Sequence, residues 1–488
     1  MTQRCGLARF PPDERISENL YSPLWKCPNA KMREFFYPSS VAVFGVGTQP
    51  GNLAKNIVLH CREMGFQGRI HPVGRKPGNV HGIDICTDPD SLPRGIDLAV
   101  ILVPAAFVAE TLEICGRKGI RHAIISTGGF REFEGNQTQA ENEILDVTGR
   151  YGIRFIGPNS IGVICTDSGL CSPFNPMQVE HYKKGSTSLI IQSGGVTTQC
   201  AYTFSDEHVG FSKIVSVGNK LNVGEIDLIE YFNQDEDTKQ ILLYLESIED
   251  GPELIRVASR SAKPVVVFKA NVSSTASKIA MSHTAALFND DRIVDGAFRQ
   301  SGILRVDSIH DMTVCAKALQ LPPLTGNRLV AISLSGGFSV ILGDMCERLG
   351  FECPDLPRQL LDQIENYRRG GVIRMSNPMD FGDVHDVRGL VFALEQCMAL
   401  DSIDGIVLCH MYEPEMMRMI RGGVGSPEQI LTFFKQLCAS AGKPIALSFF
   451  GRRAQVEELQ RTGLFPVFND PMESVRAMRM LLEHGRKA

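Results

Sequence analysis

The sequence predicts an α/β protein built from three doubly wound domains. Short, near-continuous apolar runs alternate with longer helical patterns, which is how strands buried on both faces of a parallel sheet read. Several of these runs end in a glycine-rich turn that opens a helix. The length of 488 residues, at roughly 150 residues per domain, allows about three such units.

Taken in order, residues 1–36 read as an irregular extension. A first series of strands follows at 40–47, 69–74, 98–104 and 122–128, closing with 154–159. A second series lies at 188–194, 212–218, 241–246 and 264–269, and a third at 329–335, 405–409, 444–450 and 465–468. Pro, Gly and Ser cluster at 165–184 and 321–327 and mark boundaries. The expected units are therefore 37–165, 166–324 and 325–488. The last helix is signalled by Asp470 as its cap and Pro471 in its first turn.

Composition excludes several classes. Hydrophobic residues make up 43% and charged residues 22%, and 50 Lys+Arg against 55 Asp+Glu leave a net charge of −5. That balance is too mild for nucleic-acid binding driven by phosphate neutralisation and has no polybasic membrane footprint. The longest apolar stretch, 98–109, is too short to span a bilayer and contains Pro104. The first residues, MTQRCGLARFPPDER, contain no apolar secretory core, so a cytoplasmic location is expected. Fourteen cysteines without a CxxC pair read as reduced, mostly buried thiols, and no metal site is assigned.

Three strand-to-helix turns carry the chemistry. The first, Gly45-Val-Gly47-Thr-Gln-Pro-Gly51, can turn backbone amides toward an anion at a helix N-terminus, although its spacing is not the usual dinucleotide fingerprint. The next strand ends Val73-Gly74-Arg75-Lys76. A dinucleotide site wants an acid there for the ribose diol; two cations instead disfavour NAD and suit a ribose bearing a phosphate, as in NADP or coenzyme A, or else form a solvated loop. The second and third turns, Ile191-Gln-Ser193-Gly194-Gly195 and Ser333-Leu-Ser335-Gly336-Gly337, resemble each other. Helices are expected from Val196 and Phe338. Each turn offers free amides and a hydroxyl at the positive end of a helix dipole, as a shared phosphate clamp or as a tight core turn.

Among eleven histidines, His283 stands apart, set in Met281-Ser-His-Thr-Ala-Ala286 after a Ser/Thr-rich loop. A histidine that accepts a phosphoryl group needs one ring nitrogen free and the other donating to a group that fixes the tautomer. Glu246 closes the run Tyr244-Leu-Glu246, where α/β sheets place ligands. It is either that acceptor or an ordinary charged strand end.

Ordered motifs across nearly the whole chain then resemble one family. They are Pro38-Ser-Ser-Val-Ala-Val-Phe-Gly45, Gly128-Gly-Phe130, Gly157-Pro-Asn159, Gln192-Ser-Gly194, Val217-Gly-Asn-Lys220, Tyr244-Leu-Glu246, Ser282-His-Thr284, Asn377-Pro-Met-Asp380 and Phe465-Pro-Val-Phe468. The sequence resembles the α subunit of NDP-forming acyl-CoA synthetases (acetate–CoA ligase, ADP-forming), relatives of succinyl-CoA synthetase. The resemblance implies a Rossmann-like CoA-binding domain followed by two flavodoxin-like ligase domains. It implies that His283 is phosphorylated and that Glu246 orients it. The helices opened by Ser193, Gly194 and Gly195 and by Ser335, Gly336 and Gly337 would hold the phosphate. CoA would lie over Gly45, Gly47, Gly51, Val73, Arg75, Lys76, Val103, Pro104, Thr127, Gly128 and Gly129. Asn159 and Ser160 would lie near the acyl phosphate. Ser160 stands where the family usually has Cys, Ala285 where it has Gly, and Ile191 where Ser is common. These departures bear on the acyl group and the fine geometry.

The reaction implied is reversible conversion of acyl-CoA, ADP and phosphate to acid, CoA and ATP. No Walker A motif is present, and the family places the nucleotide in an ATP-grasp domain for which no fourth domain remains. The resemblance therefore implies a separate β subunit carrying ATP or ADP and Mg2+, in a heterotetramer, with a small acyl-CoA as the other partner. Rival readings are a CoA-binding regulatory subunit, an NADP-linked oxidoreductase, and an acyl or carbamoyl transferase lacking phosphohistidine chemistry.

Overall fold

A computed structural model of the chain describes residues 29–130, 137–273, 275–276, 290–367, 374–382, 384, 386–412 and 426–485. Its strands form three main sheets, each wound by helices. In the first sheet, β1 (Ser40–Phe44), β2 (Arg69–Val73), β5 (Leu98–Ile101), β6 (His122–Ile125) and β7 (Arg154–Ile156) run parallel in the order β2-β1-β5-β6-β7. The small hairpin of β3 (Asn79–Val80) and β4 (Ile83–Asp84) lies outside it. β1 is buried along its whole length, as the unbroken apolar run requires.

The second sheet has the order β14-β13-β12-β10-β11-β8-β9. Its strands are β8 (Val163–Cys165), β9 (Leu170–Cys171), β10 (Lys184–Ile191), β11 (Phe211–Ser216), β12 (Gln240–Leu245), β13 (Val265–Lys269) and β14 (Leu304–Val306). Five are parallel; β8 pairs antiparallel with β11, and β9 antiparallel with β8. In the third sheet β15 (Leu329–Ser333), β16 (Met379–Asp380), β17 (Gly405–Met411), β18 (Ile445–Phe450) and β19 (Val467–Phe468) are parallel in the order β16-β15-β17-β18-β19. The α/β class is as the sequence predicts.

Four details differ from the sequence expectation. Residues 29–36 are not irregular throughout: Asn29–Phe35 forms a 3-10 helix, and Met32, Phe35 and Phe36 are fully buried. Phe36 stacks on Tyr231 at 4.9 Å. Beneath it the buried Lys213 ammonium pairs with Asp235 at 2.7 Å and faces the rings of Phe36 and Tyr37, a pairing that such a deep charge demands. The β8–β9 hairpin carries too few residues for a periodic signal. The last strand shrinks to Val467–Phe468 because Pro466 has no N–H to give the ladder. Both Ser-Gly-Gly helices also begin earlier than expected, at Gly194 and Gly336; Asp470 does cap the last helix, its carboxylate accepting from Glu473 N at 2.9 Å.

The first two sheets share a core in which Val41, Val100, Ile124 and Ile156 cluster with Val163, Ile190, Val215 and Leu243. Contacts from the Ala54–Glu63 helix reinforce the junction, where Asn56 donates to the Phe174 carbonyl at 2.9 Å. The third sheet has its own core. It meets the second through Lys317, which is 2.5 Å from Glu207 and donates to the Val467 carbonyl at 3.2 Å.

Candidate active site

Each sheet has one switch point, where chain order reverses and a crevice opens beyond the strand ends. In the first sheet it lies between β1 and β5. Gly45 sits there with φ +96°, and a Cβ would fall 2.0 Å from the Leu102 carbonyl oxygen, so only glycine lets the two strand ends approach. Its amide donates to the Val73 carbonyl at 3.0 Å. Asn52 donates to the Gly45 carbonyl at 2.9 Å and accepts from Lys55 N at 3.0 Å, shaping the turn through Gly47 and Gly51 into the helix. Val103 and Pro104 follow β5, and Thr127, Gly128 and Gly129 follow β6. Thr127 donates to the Val103 carbonyl at 2.7 Å. Arg75 and Lys76 are exposed beyond β2, with the Arg75 guanidinium 4.4 Å from the centre of the Phe107 ring. All eleven residues expected to contact CoA thus lie at or just beyond the carboxyl ends of β1, β2, β5 and β6.

In the second sheet the switch point lies between β10 and β12. Ser193 caps the Gly194–Asp206 helix, accepting from Val196 N at 3.5 Å. A Cβ on Gly194 would lie 2.7 Å from Ile161, whereas Gly195 is open. Across the crevice, Gln192 accepts from the amides of Glu246 at 2.8 Å and Ser247 at 3.0 Å, and donates to Ser247 Oγ at 2.9 Å. Tyr244 donates to the Glu246 carboxylate at 3.4 Å, and burial together with that carboxylate pushes the Tyr244 hydroxyl up. Glu246 and the Ser193 turn therefore share one crevice. His283 lies outside the described residues.

The loop after β7 borders this crevice from the first sheet. Asn159 has φ +59°; its amide donates to the Thr127 carbonyl at 2.8 Å and its side chain to Asn219 at 3.4 Å. Ser160 is fully buried, its hydroxyl donating to the Ser216 carbonyl at 2.5 Å and accepting from Gly162 N at 3.0 Å. It tethers the backbone, while Asn159 faces the second sheet.

In the third sheet the switch point lies between β15 and β17. Ser335 caps the Gly336–Arg348 helix without a side-chain capping bond, and Gly336 and Gly337 are exposed. Asp380, at the end of β16, places a carboxylate oxygen 2.7 Å from where a Gly336 Cβ would be. Sequence reasoning quoted Asp380 in a motif without giving it a place in the site. It likewise gave none to Gln192, Lys220 or Lys269. The motifs Gln192-Ser-Gly194 and Val217-Gly-Asn-Lys220 held the signal for two of them.

Lys269 is 3% exposed. Burial pushes its ammonium down to about 8, with Arg305 and Lys220 adding to the fall and Asp291 and Glu246 opposing it. Among the described residues every cysteine is a free thiol, and burial pushes Cys61, Cys115 and Cys200 up to about 12, far from a nucleophile's range. No described group of three or more His, Cys, Asp or Glu could hold a metal ion, and no described helix is long and apolar enough to cross a membrane.

The fold and its crevices define a CoA-binding module joined to ligase modules. The family model for a CoA binding domain matches residues 39–166, and that for a succinyl-CoA ligase like flavodoxin domain matches 184–319. The α subunit of acetate–CoA ligase (ADP-forming) I from Pyrococcus furiosus is 30% identical over 467 residues, covering 93% of this chain and 98% of that protein. The α subunit of the II enzyme from the same organism is 33% identical over 349 residues, 71% of this chain and 75% of its own. A solved structure of acetyl-coenzyme A synthetase 1 from Ca. Korarchaeum cryptofilum, in complex with phosphate and ADP, superposes with a TM-score of 0.82 at 27% identity, over 93% of this chain and 97% of that one. The chain belongs to the α-subunit family of ADP-forming acyl-CoA synthetases and is an acid–thiol ligase chain.

Proposed function

We propose that this chain carries out the acyl and phosphoryl steps of a reversible ADP-forming acyl-CoA synthetase. The observation that carries this reading is the second-sheet crevice, where Glu246 and the N-terminus of the Gly194–Asp206 helix share one switch point. CoA lies over Gly45, Gly47, Gly51, Val73, Arg75, Lys76, Val103, Pro104, Thr127, Gly128 and Gly129. A phosphate oxygen attacks the thioester carbonyl carbon; the C–S bond breaks, and CoA leaves as the thiolate and takes up a proton. Asn159 borders the acyl phosphate so formed. A ring nitrogen of His283 then attacks phosphorus, the bond from phosphorus to the acyl oxygen breaks, and the carboxylate leaves. Glu246 accepts from the other ring nitrogen and stabilises the charge on the phosphorylated ring. Helix N-termini at Ser193-Gly194-Gly195 and Ser335-Gly336-Gly337 supply positive potential to the phosphoryl oxygens. The phosphoryl group passes to ADP on an ATP-grasp β subunit, which also holds Mg2+, in a heterotetramer. The α-subunit names of the matched relatives support a partner of this kind. Their naming for acetate makes acetyl-CoA the first substrate to test.

The test is incubation of the full chain with acetyl-CoA and phosphate, followed by detection of an acid-labile phosphoryl adduct. Adduct on the wild type and none on His283→Ala is expected. Equal labelling of both, or none on either with any of a panel of acyl-CoAs, overturns the reading. Complete turnover with ADP and no partner overturns the two-subunit assembly.

A further inference from the structure

We propose that Lys269 is a positioning residue for Glu246, the ammonium that completes a cage around the backbone of Glu246 and Ser247 and sets the direction of the carboxylate. The inference rests on the reading of Glu246 as the group that orients His283. The cage is visible bond by bond. Both amides, of Glu246 and Ser247, donate to Gln192 Oε1 at 2.8 and 3.0 Å. The Glu246 carbonyl accepts from Lys269 at 3.0 Å, and the Ser247 carbonyl accepts from Lys220 at 2.9 Å. Gln192 also donates to Ser247 Oγ at 2.9 Å. Every polar backbone group of the two residues that end this strand run is held by a buried side chain.

Lys269 differs from the other buried lysines in how its charge is answered. Lys213 pairs with Asp235 at 2.7 Å and Lys220 with Glu225 at 3.0 Å. Among the described residues, Lys269 instead donates to the carbonyls of Glu246 and Ala270. An ammonium buried against carbonyls is costly, and an apolar residue at the end of β13 would satisfy packing alone. The arrangement instead fixes a backbone that leads straight into a carboxylate. A misplacement of about 1 Å at such a group costs on the order of 100-fold in rate.

The charged groups around Lys269 are Glu246 after β12, Asp291 on the Asp291–Ser301 helix, Arg305 on β14 and Lys220 after β11. Because its ammonium is pushed down to about 8, the cage loses its charge as pH rises through that value and is intact below it.

The test measures the rate of phosphoryl adduct formation by the full chain with acetyl-CoA and phosphate. Lys269→Met is expected to lower the maximal rate by about 10- to 100-fold while the half-saturating acyl-CoA and phosphate stay within about 2-fold. In a Glu246→Gln background the same change is expected to cost less than about 2-fold, because the two act through one group. An equal loss in both backgrounds, or no loss in the first, overturns the proposal. Glu246→Gln with a wild-type rate overturns the reading of Glu246 itself, which is a separate failure. Lys269→Arg, charged at every accessible pH, keeps the test open if the methionine variant does not fold: it should hold its rate at pH 9, where the wild type declines. Parallel decline of the two overturns the proposal.

Discussion

The second and third sheets present the same short sequence, strand then Ser-Gly-Gly then helix, in two different settings. After β10 the turn faces a strand end that is gripped by Gln192, Lys220 and Lys269, and the serine caps its helix. After β15 the serine makes no side-chain capping bond, both glycines are exposed, and the neighbouring strand supplies the Asp380 carboxylate beside Gly336. Val340 and Ile341 on that helix are exposed. Identical local chemistry thus serves two ends. The second-sheet turn is part of a hydrogen-bonded frame around the backbone of Glu246 and Ser247, and the third-sheet turn is an open helix end whose positive potential is partly answered by a carboxylate.

The largest expected effect separates the two carboxylates. Glu246→Gln should slow phosphoryl adduct formation by on the order of 10²- to 10⁴-fold, as loss of a tautomer-fixing acid does elsewhere. Asp380→Asn should leave that rate standing and lower the half-saturating phosphate concentration about 2- to 5-fold, since a negative charge at a helix N-terminus competes with an anion for about 0.3–1 kcal/mol. Steady-state kinetics with varied phosphate distinguishes them, and a large rate loss in Asp380→Asn would erase the contrast.

The glycines sharpen it. Gly194→Ala drives a Cβ to 2.7 Å from Ile161, and Gly336→Ala drives one to the same distance from the end of the Asp380 side chain. Ile161 is branched and packed, and overpacking costs about 1–3 kcal/mol; a carboxylate can swing away. Denaturant unfolding should show the loss in Gly194→Ala and a change below about 1 kcal/mol in Gly336→Ala. The smallest effect concerns the caps. Ser193→Ala should cost about 0.5–2 kcal/mol, and Ser335→Ala, which removes no side-chain capping bond, should stay within about 0.5 kcal/mol. The same unfolding curves read both.

Much of this site is legible in the sequence. The apolar runs and the three glycine turns announce strands and helix openings, while the cations after β2 leave a phosphate-bearing ligand and a solvated loop both open. Glu246 stands out because it ends an apolar strand. What escapes is short or distant. Asn29–Phe35 gives no periodic signal, yet Phe35 packs edge-on against His122 and the following Phe36 stacks on Tyr231. Gln192 and Glu246 are 54 residues apart and Lys269 is 23 beyond Glu246, so no local pattern links them. Lys269 reads as a routine charged strand end until burial shows otherwise.

By itself the sequence determines where most strands, helices and turns fall, because side-chain periodicity and turn chemistry are properties of neighbouring residues. The tertiary structure decides which strand ends become neighbours. Only the order β14-β13-β12-β10-β11 sets β10 beside β12 and β12 beside β13, and only that adjacency turns a glutamine and two lysines from separate stretches of chain into the cage around one glutamate. Hydrogen bonds of 2.8 to 3.0 Å act over contact distance alone, so their partners are chosen by sheet topology and not by position along the chain.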